Sequence, residues 1–229
     1  MVLAIVIRAV PAWAQAPPPE SPRVRVTGEA TVSVAPDLAE VRILILTEAR
    51  EANQATGENA KVAARTLSDL KKVVDSGAEV RTASFALDPK YEFRKQGGQT
   101  LTGYTAKNFI TVKTGRLDSV GKIIDTAVSA GASGVGSIRF TVKDEAPVRR
   151  EALREAVRNA MDKANEAAAA LGLRITRVLR VEEEGARIHV PVIGRKMNLA
   201  AAAPSTPVEP GDIEVRASVT LTAEIAPKD

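Results

Sequence analysis

The chain has 229 residues, a formal net charge of +4, a single histidine and no cysteine. That length is ample for a hydrophobic core, and so small a charge, with no basic run interleaved with aromatics, does not mark a nucleic-acid binder. The missing cysteine removes disulfides, thiol nucleophiles, thiol redox centres and cysteine metal sites together.

Residues 1–14 read as the remnant of a secretory signal. A short apolar run is followed by Pro11 and then Ala12-Trp13-Ala14, an A-x-A cleavage pattern, with Ala14-Gln15-Ala16 a second candidate. Arg8 interrupts the apolar run, and a buried N-terminal strand is the competing reading. Residues 15–22 hold Pro17, Pro18 and Pro19 and read as an exposed tether. The expectation is export to the periplasm, with peripheral association with the outer membrane left open. No later stretch approaches the ~20 apolar residues of a membrane-spanning helix.

From Arg23 to Val34 the chain alternates, with Val24, Val26, Ala30, Val32 and Val34 on one face, as in a half-buried strand. Gly28 breaks the apolar face and marks either a bulge or a close backbone approach. After the turn at Ala35-Pro36-Asp37, Leu38 to Ala49 is apolar on both faces at its centre, which predicts a central strand. A helix is predicted from Glu51 to Asp75, with Ala60, Ala63, Leu67, Leu70 and Val74 as its core face. Strands Glu79–Leu87 and Leu101–Lys113 flank a connection containing Pro89 and the KQGG stretch at 95–98, read as an exposed hairpin tip. Thr114 can cap a helix over Arg116–Ala130. A short strand, Gly134–Lys143, precedes the longest helix.

That helix runs from Asp144, the expected N-cap, to Gly172, the expected left-handed C′ residue. Its inward stripe is Val148, Ala152, Leu153, Ala156, Val157, Ala160, Met161, Ala164, Ala167, Ala168 and Leu171; much of it is alanine, so its backbone is expected to dock closely on its neighbour. Its outward face carries Glu151–Arg154 and Glu155–Arg158, favourable i,i+3 pairs. A strand from Arg174 to about Glu184 follows. Residues 185–211 then lose the pattern in an Ala/Pro-rich loop, and Asp212–Ile225 alternates cleanly. The reading is an α+β fold, antiparallel sheets with helices on one face, in the order ββαββαβαββ. It forms one domain over residues 23–228, with room for two lobes.

Chemistry-bearing constellations are scarce. His189 stands beside Pro191 in the irregular loop, so no histidine pair can hold a metal. Asp37 reads as a turn former. Glu182, Glu183 and Glu184 are adjacent on a strand and point to opposite faces, a poor cation cage. The stretch GASGVGS at 131–137 resembles a phosphate loop but precedes a strand and lacks the lysine. Arg150, Arg154 and Arg158 are interleaved with acids and read as a solvated face. Tyr104 and Asn108 share a strand face. They are either a buried aromatic with a satisfied amide or a small recognition patch.

Four stretches together resemble the SIMPL-domain family of YggE-like bacterial periplasmic proteins. They are VRVTGEATVSVAPDLAEV, with Pro36, Asp37 and Ala39 in its turn; RTASFALDPKYEF, with Thr82, Leu87, Pro89 and Tyr91; GYTAKNFITV, with Gly103, Tyr104, Ala106 and Asn108; and the Ala-rich helix ending in Leu171-Gly172. The likeness covers nearly the whole chain after residue 22 and departs from the family at 185–211. It implies a secreted, non-catalytic envelope protein with no cofactor, linked to oxidative-stress tolerance, that forms a homo-oligomer. The alternative is a small-ligand binder or enzyme with a pocket the sequence does not reveal.

Overall fold

A computed structural model describes residues 21–93, 97–185, 187–189, 192–193 and 210–228. The expected signal and tether, and most of the 190–209 stretch, lie outside the described residues. Nine strands and three helices are described: β1 Arg23–Val34, β2 Leu38–Ala49, α1 Ala52–Val73, β3 Glu79–Phe93, β4 Gln99–Thr114, α2 Val120–Ser129, β5 Gly134–Thr141, α3 Ala146–Ala170, β6 Leu173–Glu183, β7 Arg187–His189, β8 Val192–Ile193 and β9 Ile213–Pro227. The order matches the sequence reading, with β7 and β8 as additional short strands inside the region read as pure loop.

All pairings are antiparallel and fall into two sheets. One has the order β1-β9-β6, with β7 also on β9; the other has the order β3-β4-β2-β5-β8. β9 is therefore interior, while β1 and β6 lie at edges. β2 is central, as its two apolar faces require.

Each sheet has its own core. Val41, Ile43, Ile45, Ile110 and Val112 pack under α1 and α2, with Leu70, Ile123 and Ile124. Val215, Val219 and Leu221 of β9 pack under α3. The alanine stripe of α3 is fully buried from Ala152 to Ala164, at every fourth residue. Gly28 lies beneath it. The β1–β9 register runs without a shift, so Gly28 marks a close approach and not a bulge.

Four local details differ from the sequence reading. Leu171, read as the last residue of the inward stripe of α3, is 71% exposed at the helix C-cap. The α3 N-cap is Glu145, while Asp144 accepts a hydrogen bond from the Ala146 N–H at 3.0 Å. The buried face of α1 is Ala55, Asn59, Ala63, Thr66 and Leu70, and Ala60 is exposed. Finally, β3 does not stop at Leu87 but crosses Pro89 and reaches Phe93. Proline is tolerated there because β3 is an edge strand. Gly172, with φ 72°, ends α3 as expected.

Candidate functional site

The β3–β4 hairpin projects as a long arm, and a cleft of about 430 Å³ lies at its root. The cleft is lined by Glu48, Ala49 and Arg50 where β2 turns into α1, by Lys90, Tyr91 and Glu92 on β3, and by Thr102, Gly103 and Tyr104 on β4. Gly103 permits this geometry, since a Cβ there would lie 2.6 Å from the Ala49 carbonyl oxygen.

The cleft's charges are paired. Lys90 Nζ donates to Glu48 Oε2 at 2.6 Å, and Thr105 Oγ1 donates to Glu48 Oε1 at 3.5 Å. The Lys90 hydrogen bond and charge hold the Glu48 carboxyl below the ordinary glutamate range. Glu48 therefore stays ionised near neutrality, which suits an ion pair and not a proton donor.

Tyr104 is half-buried and lines this cleft. Asn108, four residues along the same face, is buried at 8% exposure, and its Oδ1 has no hydrogen-bond partner among the described residues. The two share a face, but only Tyr104 lines the cleft. Asn59 of α1 carries a role the apolar periodicity did not signal: its Nδ2 donates to the carbonyls of Ile45 at 3.2 Å and Ala106 at 3.1 Å, tying helix to sheet. Glu48 and Lys90 gave no sequence signal either, being far apart in the chain.

The other candidates resolve into structure. Asp37 Oδ1 accepts from the Lys143 N–H at 2.6 Å and closes the turn between the sheets. Glu182 pairs with Arg180 at 2.9 Å and Arg25 at 3.7 Å. Gly131 has φ 103° and leads from α2 toward β5, so the GAS of GASGVGS is a helix-to-strand turn and its GVGS opens β5. Arg154 pairs with Glu151, and Arg158 with Glu155. His189 lies in β7, opposite Glu214. Among the described residues no group of three or more His, Cys, Asp or Glu could hold a metal ion, and no helix is long and apolar enough to cross a membrane.

One face of the arm is apolar. Phe93 is 82% exposed, Phe85 51% and Tyr91 48%. The sequence held a usable signal for this, because the chain has only four Phe, two Tyr and one Trp, and Phe85, Tyr91 and Phe93 alternate along one strand.

Comparison with known proteins gives a consistent picture. The model of the family SIMPL, described as a protein of unknown function (DUF541), matches residues 24–223. The chain is 29% identical to the 26 kDa periplasmic immunogenic protein of Brucella melitensis, over 89% of this chain and 84% of that one. It is 28% identical to the uncharacterized protein YggE of Edwardsiella ictaluri, over 71% of this chain and 68% of the relative. The Escherichia coli K12 YggE is 26% identical, over 66% and 61% respectively.

Proposed function

The chain belongs to the SIMPL family, and from that premise we propose that it is a non-catalytic interaction protein of the bacterial periplasm that associates with copies of itself. Its role lies in envelope integrity or tolerance of oxidative stress. The observation that carries the reading is the pair of exposed apolar strands at sheet edges. β3 presents Phe85, Leu87, Tyr91 and Phe93, and β6 presents Val178, Leu179 and Val181. Contiguous apolar surface on an edge strand is normally covered by a partner. The periplasmic name of the Brucella relative supports the compartment, as does the signal-like N-terminus.

Light scattering on the chain lacking residues 1–14 tests self-association. A mass above that of one chain at micromolar concentration is expected, and a monomer mass across the accessible range overturns the reading. Cell fractionation, and the peroxide and detergent sensitivity of a deletion strain, test compartment and role. Unchanged sensitivity to both agents removes the envelope role. The cleft at the root of the arm favours a second reading, a small-ligand site at Tyr91 and Tyr104. A ligand that protects those two tyrosines from chemical modification, without changing the native mass, would replace the first reading by this one.

A further inference from the structure

Apart from the apolar edges, one sheet face carries charge of a single sign in a regular pattern. We infer that the solvent face of the β1-β9-β6 sheet binds an anionic phospholipid surface. It does so through two rows of arginines, Arg23 and Arg25 on β1 and Arg174, Arg177 and Arg180 on β6.

The strand register builds the rows. Alternation along β9 turns Leu221 and Ala223 under α3 and leaves Thr220, Thr222, Glu224 and Ala226 on the other face. β1 sets Arg23 opposite Glu224 and Arg25 opposite Thr222. On β6 the arginines recur at every third residue, and strict alternation would turn Arg177 away from Arg174 and Arg180. Two register shifts, which pass over Thr176 and Leu179, set Arg174, Arg177 and Arg180 opposite Ala226, Glu224 and Thr222. All five arginines therefore share the face that α3 does not cover. Burial alone does not account for the shifts, because Val178 and Val181, which they turn to the α3 side, remain 41% and 53% exposed.

The patch holds more cations than its own acids neutralise. Arg177 pairs with Glu224 at 3.2 Å, and Arg25 and Arg180 both reach Glu182, at 3.7 and 2.9 Å. These three arginine side chains stay largely in water, and exposed pairs of this kind contribute little, so another anion can replace the glutamate at small cost. Five arginines against two glutamates leave an excess of positive charge among the described residues of the patch. Its far border is the Thr27–Thr220 hydroxyl pair at 3.1 Å, beyond which Glu29 follows on β1.

Spacing selects the kind of anion. β1 and β6 are two strands apart, about 10 Å, and the ladder from Ala226 to Thr222 spans about 14 Å. One phosphate can meet the two guanidinium groups that converge on Glu182, but the other three need further anionic groups spread in two dimensions. A linear polyanion would follow one row. A bilayer surface presents phosphates as a flat array, which matches a flat sheet face carrying two rows. Guanidinium forks bind phosphate in a bidentate manner, and each basic residue close to an anionic bilayer strengthens attachment about five-fold.

Co-sedimentation of the full chain with vesicles tests this. Binding to mixed phosphatidylglycerol–phosphatidylcholine vesicles should exceed binding to phosphatidylcholine alone, and the excess should fade as salt is raised. The double variant Arg25→Thr with Arg180→Thr should bind about twenty-fold more weakly, at about five-fold for each arginine. Arg154→Thr with Arg158→Thr removes the same charge from the outer face of α3 and should leave binding unchanged. Circular dichroism checks folding, and Arg25→Gln with Arg180→Gln serves if the threonine variant does not fold. Equal binding to the two vesicle types overturns the proposal, and an equal loss in both double variants overturns this face. Binding of dextran sulfate without binding of the anionic vesicles makes the partner a soluble polyanion and overturns the lipid. Displacement from vesicles by inorganic phosphate at constant ionic strength reduces the array to a single-phosphate site and overturns it too. Light scattering keeps self-association separate: the native mass of Arg25→Thr with Arg180→Thr should equal that of the wild type, and a lower mass makes this face an interface between copies.

Discussion

Gly28 of β1 and Ala160 of α3 touch backbone to backbone: a Cβ built on Gly28 would sit 2.3 Å from the Ala160 nitrogen and 2.7 Å from its α-carbon. The Ala156 carbonyl oxygen would be 2.2 Å away. These are main-chain atoms and cannot swing aside. Gly28→Ala should therefore cost about 3 kcal/mol through overpacking. Gly57, in exposed α1 with nothing within 4 Å of its virtual Cβ, is the opposite case. Gly57→Ala should stabilise by about 0.5–1 kcal/mol by removing unfolded-state freedom. Denaturant midpoints that moved the same way in both variants would contradict the close docking of α3 on β1.

The same contact read from the helix side gives a second expectation. Ala160 is fully buried, and Ala160→Leu should cost about 1–3 kcal/mol. Arg158 lies on the outer face, paired with Glu155 and largely exposed. Arg158→Ala should cost under ~0.5 kcal/mol. Equal midpoints would mean that the alanine stripe is not the packing surface.

Asn59 joins α1 to the second sheet by two hydrogen bonds to strand carbonyls. Asn59→Ala removes both donors and leaves the Ile45 and Ala106 carbonyls without those partners. Both carbonyls also belong to the β2–β4 ladder, so the loss is that of two hydrogen bonds at ~0.5–1.5 kcal/mol each, about 1–3 kcal/mol in all. Amide hydrogen exchange should show it as faster opening of α1, and unchanged protection there would contradict the assignment.

Asn59 also shows what the sequence could and could not reveal. β1, β9 and α3 were legible because each has one solvated face, so burial imprints a period of two or of about four. The core face of α1 was misplaced because Asn59 and Thr66, both fully buried, carry no hydrophobic signal. The full length of β3 was hidden by Pro89, which reads as a breaker although an edge strand admits it. The cleft was illegible because Glu48 and Lys90 meet only once β2 and β3 flank β4. Tyr104 is marked by its strand face and by the GYTAKNFITV stretch, and the structure puts it in the cleft that this ion pair also lines.

The Glu48–Lys90 pair makes a pH expectation. Glu48 has its folded-state pKa lowered, chiefly by the Lys90 hydrogen bond and charge. A lowered carboxyl contributes stability above its unfolded pKa and loses that contribution as pH falls through the folded value. The pair is solvent-exposed, so its share in stability is small and the titration itself is the better observable. In a carboxyl-resolved NMR titration, Lys90→Met should return the Glu48 midpoint upward toward the ordinary glutamate value. A midpoint that does not move would remove the pair.

Gly103 links the fold to the proposed assembly. It is buried, lies just beyond the last β2–β4 pair, Ala49 with Tyr104, and its virtual Cβ would be 2.6 Å from the Ala49 carbonyl oxygen. The backbone leaving β2 thus crosses over the root of the arm at a distance only glycine allows. Gly103→Ala must push the arm and that crossing apart, at about 1–3 kcal/mol. Because Phe85 and Phe93 lie on either side of this root, their relative placement changes with it, and the native mass should fall as well as the denaturant midpoint. Gly98→Ala is the control: nothing lies within 4 Å of its virtual Cβ, but its φ is 91°, so the alanine strains only the tip. It should cost about 1 kcal/mol and leave the native mass unchanged. If Gly103→Ala keeps the native mass while losing stability, the arm's angle does not govern assembly; if it keeps both, the crossing is not tight.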